Sequence, residues 1–257
     1  MSITIPDTLD PVRNSRYPHR PRVLFLLRRR PDSSAEAFER AVRMWRTERE
    51  QGFGFGSITA RAGVAMQEEQ EAISGLFRRS GTEVVPIDGY VSFDLQSYAP
   101  AAADFEMIFQ AAEGCLDTLR DVIVPAESIA YAGIANLVIP GVAPTSMILI
   151  LNRTERISLK EYNEWWVRHA DDHRQDNPGQ AGYHQLHIDP GLNAMAARAA
   201  GVSTSDCCIV DMMYVGRIES AFSRGAGRSA EEARRLSADI TAHVSRASVS
   251  GSFMKEV

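Results

Sequence analysis

The sequence contains little cysteine: its 257 residues include Cys115, Cys207 and Cys208 and no other. Two of the three are adjacent, an arrangement that rarely forms a disulfide, and an odd number fits a reduced compartment better than a disulfide scaffold. Their spacing also differs from that of a thiolate zinc site. We therefore expect a reduced, cytoplasmic protein that depends on a buried core for its stability.

Long apolar runs and an excess of positive charge are also missing. No segment approaches the ~18 apolar residues of a membrane helix, and the N-terminal residues show no apolar signal-peptide core. The formal net charge is -5 at pH 7, whereas duplex-binding proteins usually carry a basic excess. These features predict a globular protein whose partners include neither nucleic acid nor a membrane.

Signatures of nucleotide-binding and hydrolase families are absent too. The glycine-rich stretch 51–57 lacks the GxGxxG spacing and follows a predicted helix instead of a strand. We interpret this stretch as a mobile flap that carries Phe53 and Phe55. The sequence contains neither a P-loop nor a GxSxG nucleophile elbow.

Apolar periodicity divides the chain into interleaved strands and helices. Strands are predicted at 23–27, 83–95, 134–139, 146–151, 182–188, 208–215 and 251–257, and helices at 35–49, 58–79, 105–122, 159–173, 194–200 and 230–244. Ser34 and Ser158 are the predicted N-caps of two of these helices. Residues 1–21 contain four Pro and little periodicity, so we expect an extended arm there.

The two halves of the chain match at a constant offset of 124 residues. The matched pairs are Leu24 with Ile148, Leu26 with Ile150, Ser34 with Ser158, Phe38 with Tyr162, Val42 with Trp166, Trp45 with His169 and Tyr90 with Tyr214. Such a register across strand, cap and helix indicates internal duplication. We therefore predict an arm at 1–21, a first repeat at 22–141 and a second at 142–257.

Each repeat has the order β-α-β-β-α-β, which is typical of α+β ferredoxin-like folds. A sheet of this kind carries helices on one face, so its other face must be covered. Two sheets that face each other, as in a dimeric α/β-barrel arrangement, satisfy this need and can leave a pocket between them. One duplicated chain is enough for this arrangement, and a homodimer of tandem chains is also compatible with it.

The predicted helix at 159–173 carries a stripe of aromatic and histidine side chains. Tyr162, Trp166, His169 and His173 lie at i, i+4, i+7 and i+11, which places them on one helix face. An imidazole exchanges protons near neutral pH, so His169 is a candidate acid/base, although a core histidine bonded to the backbone has the same pattern. The spacing of His169 and His173 also permits shared metal binding. The HExxH arrangement is absent, and a solvated helix end explains the spacing better, so we predict no metal.

Further candidates lie on the strands of the second half. On 182–188, the alternation places Tyr183, Gln185 and His187 on one face, which we assign to the inter-sheet pocket, and the more apolar His184, Leu186 and Ile188 under the helices. Asp211 could orient a histidine or act as a base, or lie at a solvated strand end. Asn152 could bind a substrate oxygen or simply form a turn.

The second half resembles the EthD-like family of dimeric α/β-barrel proteins. The matching residues are the stretch 162–169, YNEWWVRH, followed by Pro178 and then Gly182-Tyr183, and the resemblance covers roughly 146–257. It implies a barrel fold and cofactor-independent chemistry on aromatic or polyketide-like compounds, including dehydratases, decarboxylases and other lyases. Related barrels include cofactor-free oxygenases and isomerases, so the fold alone selects no reaction.

The first half departs from the family pattern because Trp45 stands where the second half has His169. We therefore expect one site, with the first half supplying the opposite wall. We predict a lyase without a cofactor that eliminates water, carbon dioxide or a small aldehyde from a small aromatic or phenylpropanoid-type substrate. The predicted catalytic residues are His169, His187 and Tyr183, and the predicted binding residues are His173, Trp166, Tyr162, Asn152, Asp211 and Trp45. A cofactor-free oxygenase or isomerase on a phenolic compound and a non-catalytic ligand carrier are the alternatives.

Overall fold

An antiparallel barrel of eight strands forms the centre of the fold. The computed structural model describes residues 3–52, 57–67, 69, 71, 87–97, 99–176, 180–216, 230–245 and 250–257, without the side chains of 173, 175, 176, 230, 232, 233, 236 and 237. The strands are β1 (His19–Leu27), β2 (Ile58–Ala65), β3 (Gly89–Leu95), β4 (Ile129–Ile139), β5 (Thr145–Leu151), β6 (Gly182–Ile188), β7 (Ser203–Thr204), β8 (Ile209–Val215) and β9 (Ser250–Glu256). The helices are α1 (Asp10–Arg13), α2 (Ala35–Gly52), α3 (Ala102–Ala112), α4 (Leu159–Asp176), α5 (Pro190–Ala200) and α6 (Ala230–His243).

The strand order shows how two similar sheets close the barrel. The order around the barrel is β1-β3-β2-β9-β5-β8-β6-β4, and β4 pairs with β1 to complete the ring. Within each half the order is that of a ferredoxin-like sheet, and the junctions are β2 with β9 and β4 with β6. The two-residue β7 lies outside the ring and pairs in parallel with the start of β4. The predicted α+β fold, with two ferredoxin-like sheets facing each other, is confirmed.

Because the barrel is closed, the protein has one hydrophobic core inside the barrel and others between the barrel and the helices. Side chains such as Leu24, Ile148 and Met212 point into the barrel and pack against each other. The opposite strand faces pack under the helices, with α2 and α3 on the first half and α4 on the second. Consequently β6 and β8 are buried on both faces. Across the described ranges, no helix is long and apolar enough to cross a membrane.

Helices α2 and α4 begin at the predicted caps. The Ser158 hydroxyl accepts a hydrogen bond from the Glu161 amide at 3.2 Å, and the Glu161 carboxylate accepts one from the Ser158 amide at 2.7 Å. This reciprocal pair is a capping box, which satisfies two amides at the start of α4. Ser34 accepts a hydrogen bond from the Ala37 amide at the start of α2. Both helices contain 18 residues, as the repeat predicts.

The predicted helix at 58–79 is wrong at its start, because Ile58–Ala65 forms β2. The small residues Ala60 and Ala62 resemble a helical composition, but they face the helix layer while the alternate residues face the barrel. Pairing with β3 and β9 on either side therefore outweighs the helical propensity of alanine. The proposed flap residues Phe53 and Phe55 lie outside the described residues.

The offset of 124 residues between the two halves does not apply to one pair of equivalent strands, β3 and β8. Leu24 pairs with Ser92 on β3, whereas the equivalent Ile148 pairs with Met212 on β8. Equivalent residues on these strands are therefore 120 apart, not 124, and the match of Tyr90 with Tyr214 is wrong by four residues. The offset of 124 applies to β1 with β5 and to α2 with α4.

The N-terminal arm contributes to the second half of the molecule. Its first 3-10 turn and α1 lie against α4, where the side-chain amide of Asn163 donates to the carbonyl of Thr8 at 2.7 Å. Arg16 also pairs with Asp171 on α4 at 2.6 Å. The strand β1 already begins at His19, inside the predicted arm. The boundaries at 21 and 141 stay predictions about domain organisation.

Candidate active site in the C-terminal helix–sheet layer

Helix α4 presents its aromatic stripe to the outer face of the second sheet. Tyr162 and Trp166 are buried, and His169 follows them with 9% of its surface exposed. The His169 ring stacks on both indoles, with centroid distances of 5.2 Å to Trp165 and 4.9 Å to Trp166. The i, i+4, i+7 spacing thus places a histidine between aromatic walls at the edge of a buried layer.

A buried carboxylate lies beneath this stripe. Asp211 on β8 accepts hydrogen bonds from the Trp166 indole at 3.1 Å and from the Tyr183 hydroxyl at 3.0 Å. The Gln185 amide donates to the Tyr183 hydroxyl and to the Trp166 carbonyl, and accepts from Asn136 on β4. Asp211 is therefore an interior group that fixes Trp166 and Tyr183, and its alternative interpretation as a solvated strand end is wrong.

The prediction for the faces of β6 is wrong. Tyr183, Gln185 and His187 face α4, whereas His184 faces the barrel interior with Leu186 and Ile188. Polarity could not identify the pocket side, because both faces of β6 are buried. Hydrogen-bond partners on α4 and β8 stabilise Tyr183, Gln185 and His187 on the outer face of the barrel. Inside the barrel, Arg22 is the hydrogen-bond partner of His184.

His187 has a partner on α4 that fixes its protonation. Its Nδ1 lies 2.9 Å from the side-chain oxygen of Asn163. Because Asn163 uses its amide nitrogen to bind Thr8, this oxygen accepts and His187 Nδ1 carries the proton. Burial lowers the pKa of His187 to about 3, so the ring stays neutral near pH 7. This geometry favours a hydrogen-bonding role over a proton-transfer role for His187.

This burial predicts an acid-sensitive fold. A histidine with an ordinary pKa of ~6.5 when unfolded binds a proton that the folded ring rejects, so stability falls as pH drops below 6.5. From pH 7 to pH 5, His187 alone should lower the free energy of unfolding by about 2 kcal/mol. Urea unfolding at both pH values should show a smaller decrease in the free energy of unfolding for His187→Gln than for the parent. An unchanged pH dependence in His187→Gln would contradict the burial effect.

Tyr162 offers a hydroxyl inside the same layer. Its side chain is buried, and its hydroxyl has no hydrogen-bond partner among the described residues. Burial, followed by the charge of Asp211, raises its pKa well above the ordinary value. The hydroxyl therefore stays protonated and can donate a hydrogen bond to a substrate oxygen.

Among the other predicted binding residues, Trp45 lies apart from this cluster. Trp45 packs under α2 in the first half, where its indole donates to the Cys115 carbonyl at 2.7 Å. Because both helices lie outside the barrel, the barrel separates Trp45 from His169. Trp45 therefore does not bind substrate in a site shared with His169, which is where the sequence predicted it. Asn152 follows β5 and accepts the Ser245 amide through its carbonyl. The side chain of His173 lies outside the described residues.

A second buried polar cluster, inside the barrel, escaped the sequence analysis. Arg22 on β1 forms a two-pronged ion pair with Asp94 on β3, with one contact at 2.8 Å, and both are almost fully buried. The same guanidinium donates to His184 Nδ1 at 3.1 Å. The sequence does place one charged residue, Arg22 or Asp94, in each of two otherwise uncharged strand segments, RVLFLL and YVSFDL.

A surface groove of about 420 Å³ lies between α3 and α5, and none of the predicted site residues lines it. Its lining residues are Ile3, Glu106, Phe109, Gln110, Glu113, Met195, Arg198 and Ala199. Within the described residues, there is no group of three or more His, Cys, Asp or Glu that could hold a metal.

Comparisons with known proteins bear on the fold. No family model matches the sequence, and no curated protein matches it. The structure is similar to a "putative monooxygenase" from Lactobacillus acidophilus NCFM (8% identity, 93% of each chain covered, TM-score 0.53). It is also similar to an anthrone oxidase-like protein (10% identity, 94% and 92% covered, TM-score 0.53) and to a "putative chlorite dismutase" (9% identity, 93% and 95% covered, TM-score 0.52). The chain shares the closed α/β-barrel fold of these proteins across nearly its whole length.

Proposed function

We propose that the chain is an oxygenase for small aromatic compounds, with its site in the C-terminal helix–sheet layer. The observation that carries the proposal is His169, an imidazole at the rim of the layer, stacked on Trp165 and Trp166. The indole of Trp166 is anchored to Asp211 from below. The wall beside the imidazole is therefore rigid, aromatic and suited to a flat ring.

The first step is proton removal. A C–H group between aromatic rings or beside a carbonyl is acidified, and His169 takes its proton to leave a delocalised carbanion. The developing oxyanion receives a hydrogen bond from the Tyr162 hydroxyl, which stays protonated in its buried position. Proton transfer by a positioned histidine contributes about 10²–10⁴-fold.

Oxygen then supplies the oxidising power. The carbanion transfers its electrons to O₂, a C–O bond forms, and the resulting peroxide anion takes back the proton held by His169. His169 then removes the remaining C–H proton as the O–O bond breaks and hydroxide departs. The balance is R₂CH₂ + O₂ → R₂C=O + H₂O. The carbon is oxidised, O₂ is reduced, and His169 passes the second proton to the departing hydroxide, which leaves as water. The names of two similar structures, a monooxygenase and an anthrone oxidase-like protein, support this choice.

The elimination reactions implied by the EthD-like resemblance begin with the same proton transfer. None of the three similar structures is described as a lyase, and the oxygenase alternative is therefore preferred. Isomerisation and ligand binding without turnover are the remaining alternatives, which the following experiment distinguishes.

A panel of anthrones, hydroquinones and hydroxyaromatic ketones tests the proposal. The purified full chain, without added cofactor, is incubated with each compound in air and under argon, with an oxygen electrode and mass spectrometry. We expect O₂ uptake equal to product formation in air and no product under argon. A released fragment or an isomer formed under argon, or binding without turnover in air, would each contradict the oxygenase.

A further inference from the structure

The barrel interior contains a polar end that the proposed reaction does not use. We propose that this end binds a small monovalent oxyanion of the carboxylate type, held by His184, Arg61 and Ser146. The site is distinct from the layer around His169, because successive residues of β6 point to opposite faces of the sheet: Tyr183 contacts Asp211 outside, and His184 contacts Arg22 inside.

His184 presents a hydrogen-bond donor to the interior. Arg22 donates to its Nδ1, so Nδ1 is the acceptor and the ring proton lies on Nε2. The ring is buried, and Nε2 has no hydrogen-bond partner in the described part of the chain. Burial, reinforced by the charge of Arg22, lowers the pKa of His184 well below its ordinary value. A neutral imidazole with an unused N–H requires an acceptor, since buried polar groups are almost always paired.

Two more donors lie on the same interior surface. Ser146 on β5 is buried and is the cross-strand neighbour of Tyr214, whose ring lies 4.9 Å from that of His184. Arg61 on β2 lies 4.0 Å from Asp94. Considering described residues alone, neither Ser146 Oγ nor Arg61 Nε has a hydrogen-bond partner. Donors thus approach this end from three strands, β2, β5 and β6.

The charge of the interior selects the sign of the ligand. Arg20 and Arg22 lie on one face of β1, and Arg61 adds a third positive charge near Asp94. The described carboxylates at this end are Asp94 and Glu256, and Glu256 accepts a hydrogen bond from Tyr90. Three guanidinium groups facing two carboxylates leave one positive charge in excess. One monovalent anion balances this charge and accepts from the unused donors, which a neutral ligand or a cation cannot do.

Formate is a suitable probe because it is the smallest carboxylate. Thermal unfolding of the full chain is measured while sodium formate is titrated at constant ionic strength. We expect the Tm to rise with formate concentration, as it does for any ligand of the folded state. Arg61→Met should weaken formate binding by about tenfold or more, because it removes a charged donor. Ser146→Ala should weaken it less.

The matched control is Arg43→Met, which removes the same charge from an exposed pair with Glu39 on α2 and should bind formate like the parent. Histidine-selective nitrogen NMR gives a second reading, in which formate should shift the His184 Nε2–H signal. An equal rise of Tm in all variants would show a general salt effect and overturn the proposal. So would an experimental structure, determined with formate, in which only water contacts His184 Nε2.

Discussion

Arg22→Met should lower the free energy of unfolding by about 3–5 kcal/mol, the usual cost of leaving a buried charge unpaired. Both partners of the Arg22–Asp94 pair are buried at 1% exposure. Burial opposes the ionisation of Asp94, but the charge and hydrogen bonds of Arg22 outweigh it and hold the Asp94 pKa below its ordinary value. Without Arg22, burial is opposed only by the weaker attraction of Arg61, which lies 4.0 Å from Asp94, and of Arg20. Urea unfolding at neutral pH measures the loss.

Two variants make this result specific. Arg43→Met, at an exposed i,i+4 pair on α2, should change the free energy of unfolding by less than about 0.5 kcal/mol. The double variant Arg22→Met/Asp94→Leu removes both charges and should recover most of the loss, since an apolar pair avoids desolvation. It also stays measurable if Arg22→Met fails to fold. A double variant as unstable as the single one would contradict the ion-pair explanation.

His169→Gln should lower kcat/KM for the oxidised aromatic substrate by about a hundredfold, because the proposed base is lost while the side chain keeps its approximate length and polarity. The neighbouring Trp165 and Trp166 still form the aromatic wall, so KM should change little and the decrease should appear in kcat. Steady-state oxygen uptake measures both constants.

The matched control is His243→Gln. His243 on α6 also stacks on the Trp165 indole, with ring centroids 4.3 Å apart, but no ring contact joins it to Trp166 in the described structure. We expect nearly parental kinetics. Equal losses in the two variants would indicate a packing effect on Trp165, and unchanged turnover in a folded His169→Gln protein would remove His169 from the mechanism.

Much of the fold was predictable because periodicity and caps carry it. The stripe of Tyr162, Trp166 and His169 lies where the helical spacing predicts, and Ser158 forms the predicted cap. The strand β2 escaped prediction because its alanines suit both a helix and a strand that receives partners on both edges. Tertiary pairing decided the outcome, and no local signal reports it.

For the candidate site, the residue types pointed to the polar side chains but not to the side of the sheet on which they lie. Tyr183, His187 and Asp211 were candidates because of their residue types. The side of the sheet that they occupy, however, depends on partners from distant strands and helices. On a strand buried on both faces, alternation separates two sets of residues without assigning either set to the interior. The ion pair of Arg22 and Asp94 shows the same limit, because its partners are 72 residues apart.

Labelled oxygen tests most directly whether the C-terminal layer catalyses an O₂-dependent oxidation with His169 as its base. The parent chain and His169→Gln are incubated with an accepted substrate under ¹⁸O₂, and the mass of the product is measured by mass spectrometry. We expect one ¹⁸O atom per product molecule, with the rate about a hundredfold lower in His169→Gln. Product that carries oxygen only from water, or that forms at the same rate in both proteins, would contradict it.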